Sequence, residues 1–201
     1  MLKKYKIIKN IFLLVAFVTT LAHAQVLSQK FDSKDHPKAK GVWATVRYPY
    51  GFEVKEGERP NIVQKFSGEY KGLYTVLSLQ ILNAGAPIEA ECKNTSAKEM
   101  TEAFSDSSAD MLAQNLKKTT HENKPAFIYD ARAIVARGGV SLTTYHRVMT
   151  VCHKNAMISM WCSPTRIDYG NKSANSLSSD LNEVAPLCFQ FFNSLVLMDS
   201  Y

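Results

Sequence analysis

The sequence predicts an α+β domain: one mainly antiparallel sheet with helices packed on its faces, an α/β/α sandwich. Three observations predict it. Short runs rich in Val, Ile, Leu and aromatic residues recur between Gly, Pro and Asn turn signals. Two stretches carry helical spacing instead. The order runs strands, helix, strands, helix, which suits helices laid against an antiparallel sheet rather than alternating βα units.

Each element has a local signature. Residues 25–40 are polar and read as a mobile lead-in. Trp43 to Tyr48 reads as a first strand, broken at Pro49-Tyr50-Gly51 and resumed with alternation over Phe52 to Lys55. Glu56 to Pro60 is a turn, Ile62 to Phe66 a short strand, and Leu73 to Leu82 a longer, central one. Ser96-Ala97-Lys98-Glu99 is a capping-box pattern. Ala97, Met100, Phe104, Ser108, Met111, Leu112 and Asn115 follow it at near-helical spacing, with Lys117 and Lys118 suited to the negative end of the helix dipole. This helix has a possible break at 105–108.

Three strands follow: Ala126 to Ala136, then Val140 to Cys152 and Ala156 to Cys162, with Gly138-Gly139 as a turn. Such regular turns imply an antiparallel meander. A polar loop, Ser163 to Ser176, leads to a helix capped near Asp180. Val184, Leu187, Cys188, Phe191, Phe192 and Leu195 form its apolar stripe, with Pro186 in a first turn or at a kink.

The N-terminus reads as a targeting segment. Lys3, Lys4, Lys6 and Lys9 precede an apolar run from Ile11 to Ala22, and Ala22-His23-Ala24 has the small-x-small pattern of a signal-peptidase site. The run is shorter than a membrane span requires. The predicted organisation is therefore a signal peptide over 1–24, a lead-in over 25–40 and a single α+β domain over 41–201. It places the protein in the periplasm or outside a bacterial cell. The net charge of +6 is mostly this leader's. Four of the 24 Lys and Arg lie there, leaving 20 against 18 acidic groups, a net of +2. The remaining basic residues are scattered, which argues against nucleic acid. No later stretch is apolar enough for an integral membrane span.

The four cysteines, Cys92, Cys152, Cys162 and Cys188, all follow the leader. An even number in an exported chain predicts two disulfides, with three connectivities open. Alternation favours one. If Lys154-Asn155 turns a hairpin, Val151 faces Ile158, Met149 faces Met160 and Arg147 faces Cys162. Cys162 then shares a face with those apolar residues and Cys152 points the other way. The favoured pairs are Cys162–Cys188 and Cys92–Cys152, and a one-residue change in the turn would reverse the assignment.

Tyr48-Pro49-Tyr50-Gly51-Phe52-Glu53-Val54, an aromatic-Pro-x-Gly-aromatic-x-Val entry to the sheet, resembles the PsbP-like superfamily, which includes photosystem II extrinsic proteins and DcrB-type envelope proteins. Asn193-Ser194-Leu195 is also similar. The element order matches over residues 43–198, while the four cysteines lie outside the family pattern. The resemblance implies an α/β/α sandwich used mainly for binding other proteins, with no shared catalytic residues.

A search for chemistry finds no nucleophile-elbow, phosphate-loop, dinucleotide or zincin motif. No catalytic residue, cofactor or metal ligand is assigned. Cys152, His153 and Cys162 match no common zinc-finger spacing. His146 and His153 lie an odd number apart on one strand and should face opposite sides; His36 and His121 read as solvated or structural. Glu89 and Glu91 share one side of an extended stretch, and Glu53, Glu56 and Glu58 cluster, but both groups read as solvated surface. Asn94-Thr95-Ser96 and Asn171-Lys172-Ser173 match the glycosylation sequon by chance. Trp43, Tyr48, Tyr50 and Phe52 suit either a binding patch or core packing; alternation buries Tyr48 or its neighbours and favours the core, whereas Tyr50, at a loop tip, is the candidate partner contact. The sequence thus favours an exported non-enzymatic binding protein with a protein partner, of the inhibitor or immunity type. A hydrolase with an unrecognised site and a structural envelope component remain the alternatives.

Overall fold

A computed structural model describes residues 27–105, 111–137, 140–165 and 174–198. The expected signal peptide and the Gly138-Gly139 turn lie outside them, as does most of the expected polar loop. The strands are β1 (Gln29–Asp32), β2 (Ala44–Tyr48), β3 (Glu53–Glu56), β4 (Ile62–Tyr70), β5 (Leu73–Asn83), β6 (Met111–His121), β7 (Lys124–Arg137), β8 (Val140–His153), β9 (Ala156–Thr165) and β10 (Val196–Leu197). The helices are α1 (Glu89–Asn94), α2 (Ala97–Phe104), α3 (Ala174–Glu183) and α4 (Ala185–Asn193). The fold is thus mainly antiparallel sheet with helices. One sheet has the order β1-β2-β10; the larger has the order β3-β4-β5-β9-β8-β7-β6.

The β8–β9 hairpin sets the interior. Arg147 pairs with Cys162, Met149 with Met160 and Val151 with Ile158. Residues of β9 alternate strictly between buried and half-buried. Ala156, Ile158, Met160 and Cys162 enter one core cluster, together with Val46, Phe66, Leu77, Leu79 and the α4 residues Leu187, Cys188, Phe191 and Phe192. Cys152, Val148, Phe127 and Tyr129 enter a second cluster with Cys92 and Met100, and Met157 and Trp161 pack against it. Because neighbouring residues of one strand join different clusters, the clusters lie on opposite sides of the sheet.

Phe66 centres the first cluster. Its ring stacks on Tyr48 at 4.2 Å and meets Phe31 and Phe191 edge-on at 5.9 and 6.2 Å. Burying such a ring contributes roughly 1.5–3 kcal/mol. In the second cluster Phe104 stacks on Tyr129 at 4.8 Å. Two disulfides then join helix to sheet: Cys92–Cys152 ties α1 to β8, and Cys162–Cys188 ties β9 to α4. These are the pairs that alternation favours.

Several expectations need correction. The helix expected across 97–118 stops at Phe104, and Met111 to His121 form strand β6. The capping box is present, with Ser96 Oγ accepting from the Glu99 amide and Glu99 accepting from the Ser96 amide. Propensity is overridden downstream by a hairpin: His121 pairs with Lys124 across Glu122 and Asn123, which both have positive φ (47° and 63°). Lys117 and Lys118 therefore sit on a strand, not at a helix end. Glu89 and Glu91 lie in α1 rather than an extended stretch, so two residues of separation puts them on different sides of the helix. The expected mobile lead-in carries β1, which pairs with β2 from Gln29↔Tyr48 to Asp32↔Thr45. Asp180 does not start the last helix but sits buried within α3, and Pro186 opens a separate helix, α4.

The chain entropy that a disulfide removes from the unfolded state grows with the length of the loop it closes, so more stability is lost when a longer loop is opened. The bridges span 60 and 26 residues. Replacing Cys92 and Cys152 with alanine is expected to cost about 4 kcal/mol, and replacing Cys162 and Cys188 about 3.5 kcal/mol. Urea unfolding of each double variant checks the magnitude and the order.

Candidate functional site

A cleft of about 440 Å³ lies where β6, β7, β8 and α4 meet. Cross-strand register builds its wall. Asp130 pairs directly with Arg147, so their side chains share a face. Arg147 Nε donates to Asp130 Oδ1 at 2.8 Å and Nη2 to Oδ2 at 3.3 Å. Asn115, at a bulge in β6 with φ 56°, adds an amide hydrogen bond to the same carboxylate at 3.3 Å. Opposite stands Phe189, the α4 aromatic that falls off the buried stripe. It is 42% exposed, and its ring lies 5.6 Å from the Arg147 guanidinium. Ile128 also lines the cleft, as do Lys117, Lys118 and Thr119, which are exposed.

The charge balance is positive. Asp130 is matched by Arg147. Lys118 Nζ donates to the carbonyls of Lys93 (3.0 Å) and Thr95, near the end of α1. Lys117 has no carboxylate partner among the described residues. A ligand here meets a half-exposed ring, a guanidinium already oriented by a carboxylate, and the Lys117 ammonium.

A second cluster lies on the other side of the sheet. His146 Nδ1 is 2.6 Å from Ser163 Oγ, and its Nε2 is 2.9 Å from Thr144 Oγ1. Thr144 also donates to the Ala133 carbonyl at 3.3 Å. With that hydroxyl proton committed, Nε2–H donates to Thr144 and Nδ1 accepts from Ser163. The relay has the polarity of a serine–imidazole pair, but it ends on a neutral carbonyl. Burial pushes the His146 pKa down to about 4, so the ring is neutral at pH 7 and a weak base. Its ring meets Trp161 edge-on at 5.2 Å. Nearby, burial raises the Tyr129 phenol to about 12, opposed by a hydrogen bond to Thr150.

His153 lies elsewhere, buried at the end of β8, with Nδ1 3.3 Å from Glu89 Oε1. Glu89 also accepts from the Lys154 amide at 2.7 Å and meets Lys124 Nζ at 3.4 Å. Burial opposes ionisation of Glu89, but the Lys154 amide, Lys124 and His153 together hold it below the usual carboxylate range. This group fastens α1 to the β8–β9 turn. His121 Nε2 meets the Leu195 carbonyl at 2.9 Å, and His36 caps a short turn by accepting from the Lys38 amide. Among the described residues no group of three or more His, Cys, Asp or Glu is placed to hold a metal ion.

Tyr50 is 81% exposed at the tip of the Pro49–Phe52 turn, where Gly51 takes φ 82°. Tyr48 and Phe52 pack inward, the latter over Gly68, where an added Cβ would come within 2.6 Å of the ring. Trp43 donates to Asp32 at 2.9 Å. Glu53, Glu56 and Glu58 each pair with a lysine: Lys55, Lys38 and Lys65. Asn94 ends α1, and Asn171 lies outside the described residues. The structure does not bring Tyr50 into the lining of the cleft. Nothing in the sequence marks Asp130 or Arg147 as site residues; Phe189 leaves one signal, as an aromatic outside the apolar stripe of its own helix. No helix among the described residues is long and apolar enough to cross a membrane. Comparison with known protein families and with curated proteins finds no match.

The imidazole gives a pH signature. The folded ring titrates near 4 and the free ring near 6.5. Between these values the unfolded chain binds more protons, so stability rises with pH. The contribution is complete above about pH 6.5 and falls by at most about 3 kcal/mol as pH drops to 4. His146→Gln keeps a hydrogen-bonding side chain and removes the titration, so its stability should vary less across pH 4–7. Urea midpoints measured through that window check the slope, and an unchanged slope in the variant refutes it.

Proposed function

We propose that this chain is an exported, non-enzymatic binding protein, of the inhibitor or immunity type, and that its partner docks at the β6–α4 cleft. One observation carries the reading: the half-exposed Phe189 ring beside the carboxylate-oriented Arg147, rimmed by Lys117. Aromatic and arginine side chains in partly desolvated clefts carry most of the energy of protein interfaces. Export is supported by the leader-like first 24 residues and by two disulfides, which persist in oxidising compartments. We read the architecture as an α/β/α sandwich of the PsbP-like kind, α1 and α2 covering one core cluster and α3 and α4 the other. Tyr50 is a separate exposed contact available to the same or another partner.

The test is affinity capture from an envelope extract with the disulfide-bonded protein as bait. A stoichiometric protein partner is expected, with its recovery reduced at least about tenfold by Phe189→Ala. Failure to recover any such partner under several conditions counts against the reading.

A hydrolase is the second reading, favoured by the 2.6 Å contact between His146 and Ser163. The low basicity of the imidazole and its neutral second partner weigh against it. A fluorophosphonate probe is expected to leave Ser163 unlabelled. Labelling that disappears in Ser163→Ala would replace the binding reading with a catalytic one.

A further inference from the structure

We propose that the partner presents an extended acidic segment that pairs as an added strand with the outer edge of β6, placing a carboxylate on Lys117 and an apolar side chain against Phe189. The inference rests on the cleft being the binding site and names what enters it.

Three observations converge. First, β6 is the last strand of the larger sheet and, among the described residues, pairs only with β7, so one row of its backbone groups faces outward. A strand covered on one face alternates between buried and exposed. Here Lys117, Lys118, Thr119 and Thr120 are all exposed in succession, with only Lys118 reaching across to the carbonyls of Lys93 and Thr95, so the Lys117–Thr119 face of this end of β6 is open as well as its edge. Second, the open stretch is bounded. The bulge between Gln114 and Lys117 interrupts the ladder at one end. At the other, His121 is held by the Leu195 carbonyl, and Glu122 accepts from the Leu197 amide at 2.9 Å. The accessible edge is a short segment of fixed register beside the cleft.

Third, the charges choose the occupant. Lys117 pairs with Ile128 and so shares a face with Asp130 and Arg147; the carboxylate there, Asp130, is already engaged by Arg147 and Asn115, while Lys118 reaches the carbonyls of Lys93 and Thr95. A second copy docking β6 against β6 would bring the lysines of both copies together, which is unfavourable across paired strands. Edge lysines and a bulge are common protections against self-association. They repel like strands while leaving the edge open to an acidic one. Strand addition supplies affinity through main-chain hydrogen bonds and specificity through side-chain pockets, which the Phe189–Ile128 cleft provides.

The experiment pans a phage-displayed random nonapeptide library against the intact, disulfide-bonded protein. Enriched peptides should be rich in Asp and Glu and bind more weakly as salt rises. Affinity for the best peptide should fall at least about tenfold with Lys117→Glu or Phe189→Ala. Both side chains are exposed, and thermal melts confirm that the variants fold. N-methylation of alternate peptide amides should abolish binding for one set of positions and spare the other. No enrichment, enrichment of neutral or basic peptides, or indifference to N-methylation each overturns strand addition by an acidic segment. If Phe189→Ala still weakens capture of an envelope partner while the library yields no acidic peptide, the cleft remains the docking site and only this inference falls. Loss of neither capture nor peptide binding removes both.

Discussion

The two-residue period of the β8–β9 hairpin governs this molecule. Once His153 pairs with Ala156 across the Lys154-Asn155 turn, the side chains of residues 147–153 and 156–162 are each assigned to one side of the sheet. Cys162 goes to the cluster that α4 covers, and Cys152 to the one that holds α1. A slip of one residue would turn Met160 and Ile158 away from Phe66 and point each sulfur away from its partner. The disulfides therefore do more than shorten loops. They make the correct register the only one that satisfies both helices. Glu89 adds a polar lock at the same turn, accepting the Lys154 amide.

The cleft is a by-product of that registration. Asp130 and Arg147 meet because β7 and β8 are in register, and the pair is only partly exposed, at 21% and 14% of their side chains. A partly buried ion pair keeps its value when its geometry is good and both charges are hydrogen-bonded. Asn115 supplies the third contact from the bulge of β6. Phe189 reaches the same place because α4 buries Cys188 in a disulfide and turns the next residue outward. A rigid helix and a rigid strand thus hold an aromatic ring and a guanidinium 5.6 Å apart before any ligand arrives.

The hairpin parity, the cysteine pairing and the α4 stripe were legible because each depends on a short, regular period. Gly51 and the exposed Tyr50 were legible for a similar reason, since a turn states its own geometry. Strand β6 was not. Met111, Leu112 and Asn115 fit helical spacing, and what opposes a helix lies further on, in the Glu122-Asn123 turn, whose positive φ values close the hairpin with β7. Helix α1 was hidden by its brevity; Cys92 anchors it through a bond to a residue 60 positions away. The cleft was invisible for a related reason. Its residues come from four elements, and only the assembled sheet brings Asn115, Asp130, Arg147 and Phe189 together.

The small sheet places β2 between β1 and β10. Thr45 pairs with Asp32 on one side and with Val196 on the other. The first neighbour precedes β2 in the chain; the second follows about 150 residues later, a long-range closure of the kind that slows folding. A polypeptide is made from its N-terminus. Until Val196 and Leu197 have been made, β2 has only β1 beside it in this sheet. The pairing that covers Ala44 and Thr45 joins two segments about 150 residues apart, so the order of synthesis leaves one side of β2 open while everything between them is made.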